Sequence, residues 1–528
     1  MSKRIFNWLS ILVIPAILAG MFVPTAFAAP PAQEPTCEQV VTVQAADWLS
    51  KLADKYFGNV MAYPVIVEAT NQKNAVDSSF ARIDNPDLIE PGWKLCIVSA
   101  EDAKAILAEA PAAAPAEKVS LAFWNMPFVT QEVSPEYVLK WEEDAVTALP
   151  NATVDNFYGP GKYKDQRDKF LLQAKSGTPD VIEGLLEDMG VYVAKGLIEP
   201  LDDRFEAWAD SDQFVESALA PMRIGGKLYG IPYNTNARAM VYRKDIFEEN
   251  DLKVPETWGE LVETARKITE LTDGETHGFF VCTEVGDPRA AQEFISWYYQ
   301  VSGGENMFEV ADGEITFNAT VDELEKVLTL YDELFEEVEY PACDPNQRGT
   351  GWPAEDPGYV AGKWAMAPMG TWLWGRREEG DLQKDILENR TAIAPLPVSE
   401  DGVPATYLEV KPIMLNTYSK NKDAAWELIQ YIASQEKMGE WLADSGGIPA
   451  RKDSLEMDVF TKSDISWWIQ GFANELPKAI AQTPINWGPV SEANLRAVNY
   501  VIYDEKTPQE AAQWLYDQIM ELKEAGEL

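Results

Sequence analysis

The chain holds a single histidine, His277, in 528 residues. Every site that needs two or more imidazoles is thereby excluded, including the His-rich zinc centres of hydrolases. A Ser–His–Asp or Cys–His mechanism would have to run through that one ring. Basic residues are scarce as well: 44 Lys and Arg stand against 86 Asp and Glu, a formal charge of −42. So acidic a balance argues against nucleic-acid binding, which draws on counterion release at a basic patch, and it disfavours anionic ligands and anionic membrane surfaces. Phosphate loops are missing too. Gly358-Tyr359-Val360-Ala361-Gly362-Lys363 has too few residues between its glycines, Trp364 follows where Ser or Thr should meet magnesium, and Gly225-Gly226-Lys227 lacks the upstream glycine. Carboxylates are so numerous that no spacing singles out a glycosidase pair.

Long apolar runs are absent apart from Trp8–Val23, which follows Lys3 and Arg4 and precedes Ala26-Phe27-Ala28. This is the order of a secretory signal, short for a membrane span, so residues 1–28 are read as a cleaved leader. Met21 stands where a lipoprotein leader would carry its acylated cysteine, which excludes anchoring by that route. The mature chain is expected to be soluble and exported. Only four cysteines are present, none in a C-x-x-C pair. In an oxidising compartment they allow three connectivities. Residues 100–117 (AEDAKAILAEAPAAAPAE) read as an Ala/Pro-rich linker with too little apolar surface to fold alone. Two cysteines lie on each side of it, so the expected pairs are Cys37–Cys96 and Cys282–Cys343.

What remains is globular: 46% hydrophobic and 11% aromatic. The small module, residues 34–99, begins with the strand-like run Val40–Val43. Asp47 then stands ready to cap a helix whose apolar positions are Leu49, Leu52, Ala53, Tyr56 and Phe57, and a second helix is expected around 63–71. After a polar insertion comes NPDLIEPGWKLCI, a turn that ends in a strand. This strand–helix–helix–strand module, and that last segment above all, resembles a LysM domain, a small α+β module that binds N-acetylglucosamine-containing glycans. Ala45-Ala46-Asp47 replaces the usual glycine-aspartate-threonine turn, and an insertion lies between Gln72 and Ile83.

Residues 118–528 alternate short apolar runs (Val119–Trp124, Pro179–Ile182) with helical patterns at 166–176, 257–269, 320–335 and 422–433, the second of which opens with Thr257 and Glu260 as a capping box. The alternation predicts an α/β architecture, and its length suggests two lobes. Tryptophan is abundant, with 18 residues. A sugar ring offers an apolar CH face and a rim of hydroxyls, which flat aromatic faces and polar side chains complement. Gly370-Thr371-Trp372-Leu373-Trp374-Gly375 places two indoles on one side of an extended segment, or in a turn between glycines.

Several segments in order, SGTPDVIEGLLEDMGVYVAKGLIEPLDD from Ser176, GGKLYGIPYNTNARAMVYRKDIFEENDLKVPETWGEL from Gly225, AGKWAMAPMGTWLWG from Ala361, KNKDAAWELIQYIAS from Lys420 and GGIPARKD from Gly446, resemble the maltose-binding-like extracellular solute-binding proteins of ATP-binding-cassette sugar importers. The resemblance implies a two-lobed periplasmic-binding-protein-like fold with hinge strands near Asn234–Arg238 and Tyr407–Ile413. It sets a first lobe at roughly 118–233 plus 412–445 and a second at roughly 239–406 plus 450–528. Ligand would bind in the cleft between them. Residue by residue, it places ligand contacts at Glu187 and Asp188, at Asn236 on a hinge strand, at the stacking Trp372 with Trp374 beside it, and at Trp124 and Asn125 on the cleft edge, with Trp297 and Trp487 as looser matches. Gly184 replaces the aromatic that maltose binders carry after the strand at Val181.

These readings together predict an exported, monomeric receptor for a neutral sugar or oligosaccharide that hands its ligand to a transporter permease, without catalysis, metal or cofactor. The LysM-like module would hold it to cell-wall glycan, in a cell envelope, in the medium, or in a periplasm if a second membrane is present. Two alternatives stay open: a receptor of the same fold for a polyamine, and a secreted carbohydrate-active enzyme targeted by the LysM-like module.

Overall fold

The computed structural model describes residues 36–44, 47–58, 62–83, 89–99, 102–103, 118–125, 145, 148–149, 151–158, 163–311 and 313–528. The leader at 1–28 and nearly all of the linker lie outside these residues. The chain divides into two compact units, Met1–Ala116 and Glu117–Leu528.

In the first unit the strand Gln39–Thr42 pairs antiparallel with Lys94–Ile97, Val40 opposite Cys96. The helices Leu49–Phe57 and Tyr63–Val76 lie between them in sequence, so the strand–helix–helix–strand order is as the pattern predicts. The apolar positions that mark the first helix in the sequence, Leu49, Leu52 and Ala53, are buried with Ile66, Leu95 and Ile97. Asn71 ties down the insertion: its amide donates to Ile83 O at 2.8 Å, and its Oδ1 accepts from Ile83 N at 2.7 Å. A disulfide joins Cys37 to Cys96 across Cα atoms 5.2 Å apart. A unit this small gains much from such a staple.

The second unit contains two main sheets. In the larger one the strands run Ile448–Pro449, Ile231–Ala237, Thr406–Leu415, Val181–Glu183, Val119–Asn125, Ala152–Tyr158. The other runs His277–Phe279, Trp364–Met369, Ala239–Arg243, Thr391–Ala394. The chain passes from one sheet to the other at Arg238, between Ala237 and Ala239. It returns through the fully buried ten-residue strand Thr406–Leu415, which pairs with Ile231–Ala237 from Leu408 opposite Ala237 to Ile413 opposite Ile231. The register slips between Lys411 and Pro412, where proline has no N–H to give the ladder. These two crossings are the strands that the sequence marks as hinges, and they bring charged residues to the junction of the sheets. Thr257 and Glu260 form their capping box, and Thr320 with Glu323 forms another at Val321–Leu334. Among the described residues no helix is long and apolar enough to cross a membrane.

One expectation is corrected. Cys282 and Cys343 are not bonded to each other; both are buried free thiols. The Cys282 thiol is turned into a buried polar cluster, donating to Glu355 Oε2 at 3.3 Å. Division of the cysteines by a linker shows which module each belongs to, but not where its side chain points.

Candidate functional site

Four helical segments converge on the hinge strands. The strand Val181–Glu183 leads into the helix Leu186–Ala194, whose first turn carries Glu187 and Asp188. The helix Pro288–Val301 is capped by Asp287, which accepts from the backbone N–H groups of Arg289 and Ala290. The same carboxylate accepts from Trp352 N at 3.1 Å and so holds the start of the helix Trp352–Val360 against it. A Cβ on Gly351 would stand 2.1 Å from Asp287 Oδ2, so only glycine fits that approach. The strand Trp364–Met369 then runs through Gly370 into the 3₁₀ helix Thr371–Glu379.

At the junction Arg238, on the hinge, donates to Glu409 Oε2 at 3.1 Å on the other hinge strand and also to Gln292. Gln292 in turn donates to Glu187. This chain of contacts links the helix Leu186–Ala194 directly to the helix Pro288–Val301, and the latter to the hinge. Behind it Arg289 donates to Glu355 Oε2 at 2.9 Å and pairs with Asp356; Arg376 reaches the other oxygen of Asp356 at 3.4 Å. Both carboxylates are wholly buried. Trp372 lies against both arginines. The Arg238 guanidinium lies 4.4 Å from its ring centroid and the Arg289 guanidinium 4.3 Å, close enough for cation–π attraction, and its indole N–H donates to Asp356 Oδ1 at 3.3 Å.

The electrostatics follow from burial. Burial pushes Asp188 up to about 7 against the pull of Arg167, whose guanidinium lies 3.8 Å away. Burial likewise lifts Glu355 to about 7, although Arg289 opposes it. Glu187 and Glu293 are raised by burial as well. Glu409 is the exception: burial lifts it, but Arg238 and then Lys411 outweigh that and hold it below the ordinary carboxylate range. The site therefore mixes carboxylic acids, carboxylates and cations within one chamber, giving hydrogen-bond donors and acceptors side by side.

Two neighbouring cavities lie here. The inner one, of ≈ 20 Å³, is lined by Arg238, Arg289, Lys411, Glu409, Trp352 and Trp372 among others. Its neighbour, of ≈ 50 Å³, is lined by Glu187, Asp188, Asp287, Gln292 and Trp487. Tyr163, Leu185, Pro288 and Gln292 border both. Volumes of that size admit about one to a few water molecules, so a larger ligand enters only as the walls move apart.

Of the residues singled out from the sequence, Glu187, Asp188, Trp372 and Trp487 line these cavities. Asn236 stands beside them, accepting from Thr371 N at 3.4 Å. A Cβ on Gly370 would come within 2.3 Å of the Asn236 amide and 2.0 Å of the Trp372 ring. The other four lie elsewhere. Trp297 is wholly buried in a second hydrophobic core, edge-on to Trp258. Trp374 does not share a face with Trp372, because the segment is a 3₁₀ helix and not a strand; it packs on Trp467 and Trp468. Trp124 is buried under Lys169 and against Phe170, and the backbone carbonyl of buried Asn125 accepts from Gln166 at 2.9 Å. For Trp372 itself, the guanidinium groups of Arg238 and Arg289 both lie over the ring.

The sequence reading missed Arg289, Gln292, Trp352, Glu409 and Lys411. A signal for two of them exists in Tyr407-Leu-Glu-Val-Lys-Pro-Ile413, where Glu409 and Lys411 interrupt an otherwise apolar strand. Charges are found in fully buried strands only with partners, and those partners define the junction.

The fold and the chamber at its hinge are those of a two-lobed solute-binding protein. A family model described as bacterial extracellular solute-binding protein matches residues 151–465, more than half of the chain, and the chain belongs to that family. It is a binding protein and not an enzyme. Among curated relatives it is similar to the arabinooligosaccharide-binding protein of Halalkalibacterium halodurans, at 24% identity over 65% of this chain and 74% of that protein. It is also similar to the galactooligosaccharide-binding protein of Bacillus subtilis, at 22% identity over 57% of this chain and 68% of that one. Among solved structures, the GacH receptor of Streptomyces glaucescens, studied unliganded and in complex with acarbose, superposes with a TM-score of 0.65 at 20% identity, covering 77% of this chain and 99% of that chain.

Proposed function

We propose that the protein is an exported receptor for a neutral sugar or oligosaccharide, bound in the chamber at the hinge and delivered to the permease of an ATP-binding-cassette importer. The observation that carries the sugar class is the composition of the chamber. Indoles (Trp352, Trp372) alternate with paired charges of both signs (Arg238 with Glu409, Arg289 with Glu355 and Asp356). Such a surface gives donors to hydroxyl oxygens and acceptors to hydroxyl hydrogens. A polyamine would meet Arg238, Arg289 and Lys411 on the inner lining against Glu409 alone, so the polyamine alternative is disfavoured despite the acidic exterior. Relatives that bind arabino- and galactooligosaccharides by name support the same class. The contacts we assign are Glu187, Asp188, Arg238, Arg289, Trp352 and Lys411, with Asn236, Trp372 and Trp487 in support. The lobes would divide roughly as 118–233 plus 412–445 and 239–406 plus 450–528, and ligand would draw them together about the hinge strands.

A thermal-shift panel of arabino-, galacto- and maltooligosaccharides against spermidine and putrescine tests the class. A ligand at 100 times its dissociation constant stabilises by about 2.7 kcal/mol, so at least one sugar series is expected to raise the melting temperature by several degrees. A shift with polyamines and none with sugars would contradict the reading.

We also infer that the disulfide-closed first unit is a LysM-like module that retains the protein at wall glycan, with residues 1–28 serving for export. The disulfide at Cys37–Cys96 and the extracellular family support an exported location. Deleting residues 34–99 is expected to abolish co-sedimentation with insoluble peptidoglycan. Equal sedimentation with and without the segment would leave that unit a spacer.

A further inference from the structure

We propose that Cys282, Glu293 and Glu355 form a buried site for one thiophilic divalent cation of the zinc type, behind the hinge chamber. The Cys282 sulfur and one carboxylate oxygen from each glutamate all lie within 4.8 Å of one another, and all three residues are buried. They come from three separate pieces of chain: Cys282 from the segment after the strand His277–Phe279, Glu293 from the helix Pro288–Val301 and Glu355 from the helix Trp352–Val360. The protein's own contacts fix each of them. Glu293 Oε2 accepts from Cys282 N at 2.8 Å, and the Trp364 indole donates to Glu355 O at 3.0 Å. A Cβ on Gly358 would stand 2.2 Å from that indole, so the Glu355 helix lies with bare backbone against the ring. Cys282 Sγ is 3.3 Å from Glu355 Oε2. A sulfur and an oxygen bound to one tetrahedral zinc stand about 3.6 Å apart, from the usual bond lengths.

Glu293 Oε1 and Glu355 Oε1 are both buried, in residues without solvent exposure, and neither accepts a hydrogen bond. Buried polar atoms ordinarily have a partner, and two bare acceptors beside a thiol are what a cation completes. Charge points the same way. Fully ionised, Cys282, Glu293, Glu355 and Asp356 would carry four negative charges against the two positive charges of Arg289 and Arg376, which pair with Glu355 and Asp356. Arg238 is taken by Glu409. An unmatched buried charge is costly. One divalent ion cancels the excess, and without it the cluster must hold protons. The donor set selects the ion: a thiolate favours zinc over magnesium and calcium, which take about six to eight oxygen ligands. Bound there, the ion would tie together the two helices whose first turns, at Pro288 and Trp352, wall the hinge chamber.

Titration of the whole, chelator-treated protein with cobalt(II) under nitrogen tests this. A thiolate bound to cobalt gives a charge-transfer band in the near ultraviolet, which surface carboxylates cannot give. One equivalent of cobalt per chain is expected to saturate the band, zinc to remove it, and zinc alone to raise the melting temperature. Cys282→Ser, which keeps a hydroxyl to donate to Glu355, is expected to abolish the band. Glu293→Gln, which keeps an acceptor for Cys282 N, is expected to weaken zinc binding about tenfold or more, since even the outer partners of metal ligands are worth about 10–100-fold. No band in the wild-type protein with excess cobalt would overturn the site, whatever the variants do. So would a band that survives Cys282→Ser, or a zinc affinity unchanged in Glu293→Gln. None of these outcomes bears on the class of ligand bound in the hinge chamber.

Discussion

Arg289→Ala is expected to destabilise the free protein by about 3–5 kcal/mol, the range found when one partner of a buried ion pair is removed. Arg289 is the shared counter-ion of Glu355 and Asp356, both wholly buried. Without it Glu355 retains the weak thiol donor of Cys282, and Asp356 retains Arg376 and the Trp372 indole. Glu355 already sits up at about 7 through burial, so the variant should hold it protonated well above that. The denaturant midpoint of the variant should therefore recover towards the wild-type value as the pH is lowered towards 5. Urea titrations at pH 5 and pH 8 measure this directly. An unchanged midpoint at pH 8 would show that Arg289 is not the charge that holds the cluster together.

Trp372→Ala carries the second large effect. The indole is almost fully buried (7% exposed), in cation–π contact with Arg238 and Arg289 and hydrogen-bonded through its N–H. Truncating a buried aromatic costs about 3–5 kcal/mol, and here it also removes the ring that the Arg238 and Arg289 guanidiniums lie against. Loss of stability and loss of sugar affinity should then occur together. Affinity lost at unchanged stability would instead show that the indole meets ligand with a free face, as a stacking residue. Because Trp372 and Arg289 touch, the double variant should cost less than the two single effects added.

Much of the architecture is legible in the sequence for identifiable reasons. The capping box at Thr257 is local, and local chemistry carries over unchanged into the structure. The hinge strands are legible through the ordered set of segments that resembles the solute-binding family. Glu187 and Asp188 lie in the first turn of the helix that follows the short strand Val181–Glu183, a position the resemblance marks. The tryptophans are harder to read, since the same residue type serves core and cleft. Trp297 and Trp374 sit in packed aromatic clusters that sequence spacing does not distinguish from a ligand face. The arginine pair was missed because Arg238 and Arg289 are 51 positions apart and meet only through Trp372. The second cysteine pair failed for a related reason: proximity in the same module does not orient a thiol, and Cys282 points to Glu355.

The central claim is that ligand is held where the hinge strands meet the first turns of the helices at Leu186, Pro288 and Trp352. Hydrogen–deuterium exchange of the whole protein, with and without the sugar that raises its melting temperature most, tests that claim most directly. The account predicts slowed exchange concentrated in peptides covering residues 185–190, 287–293, 352–358 and 406–412, with the first unit unchanged. Slowed exchange confined to residues 36–99, or to surfaces of the second unit away from those four segments, would contradict it.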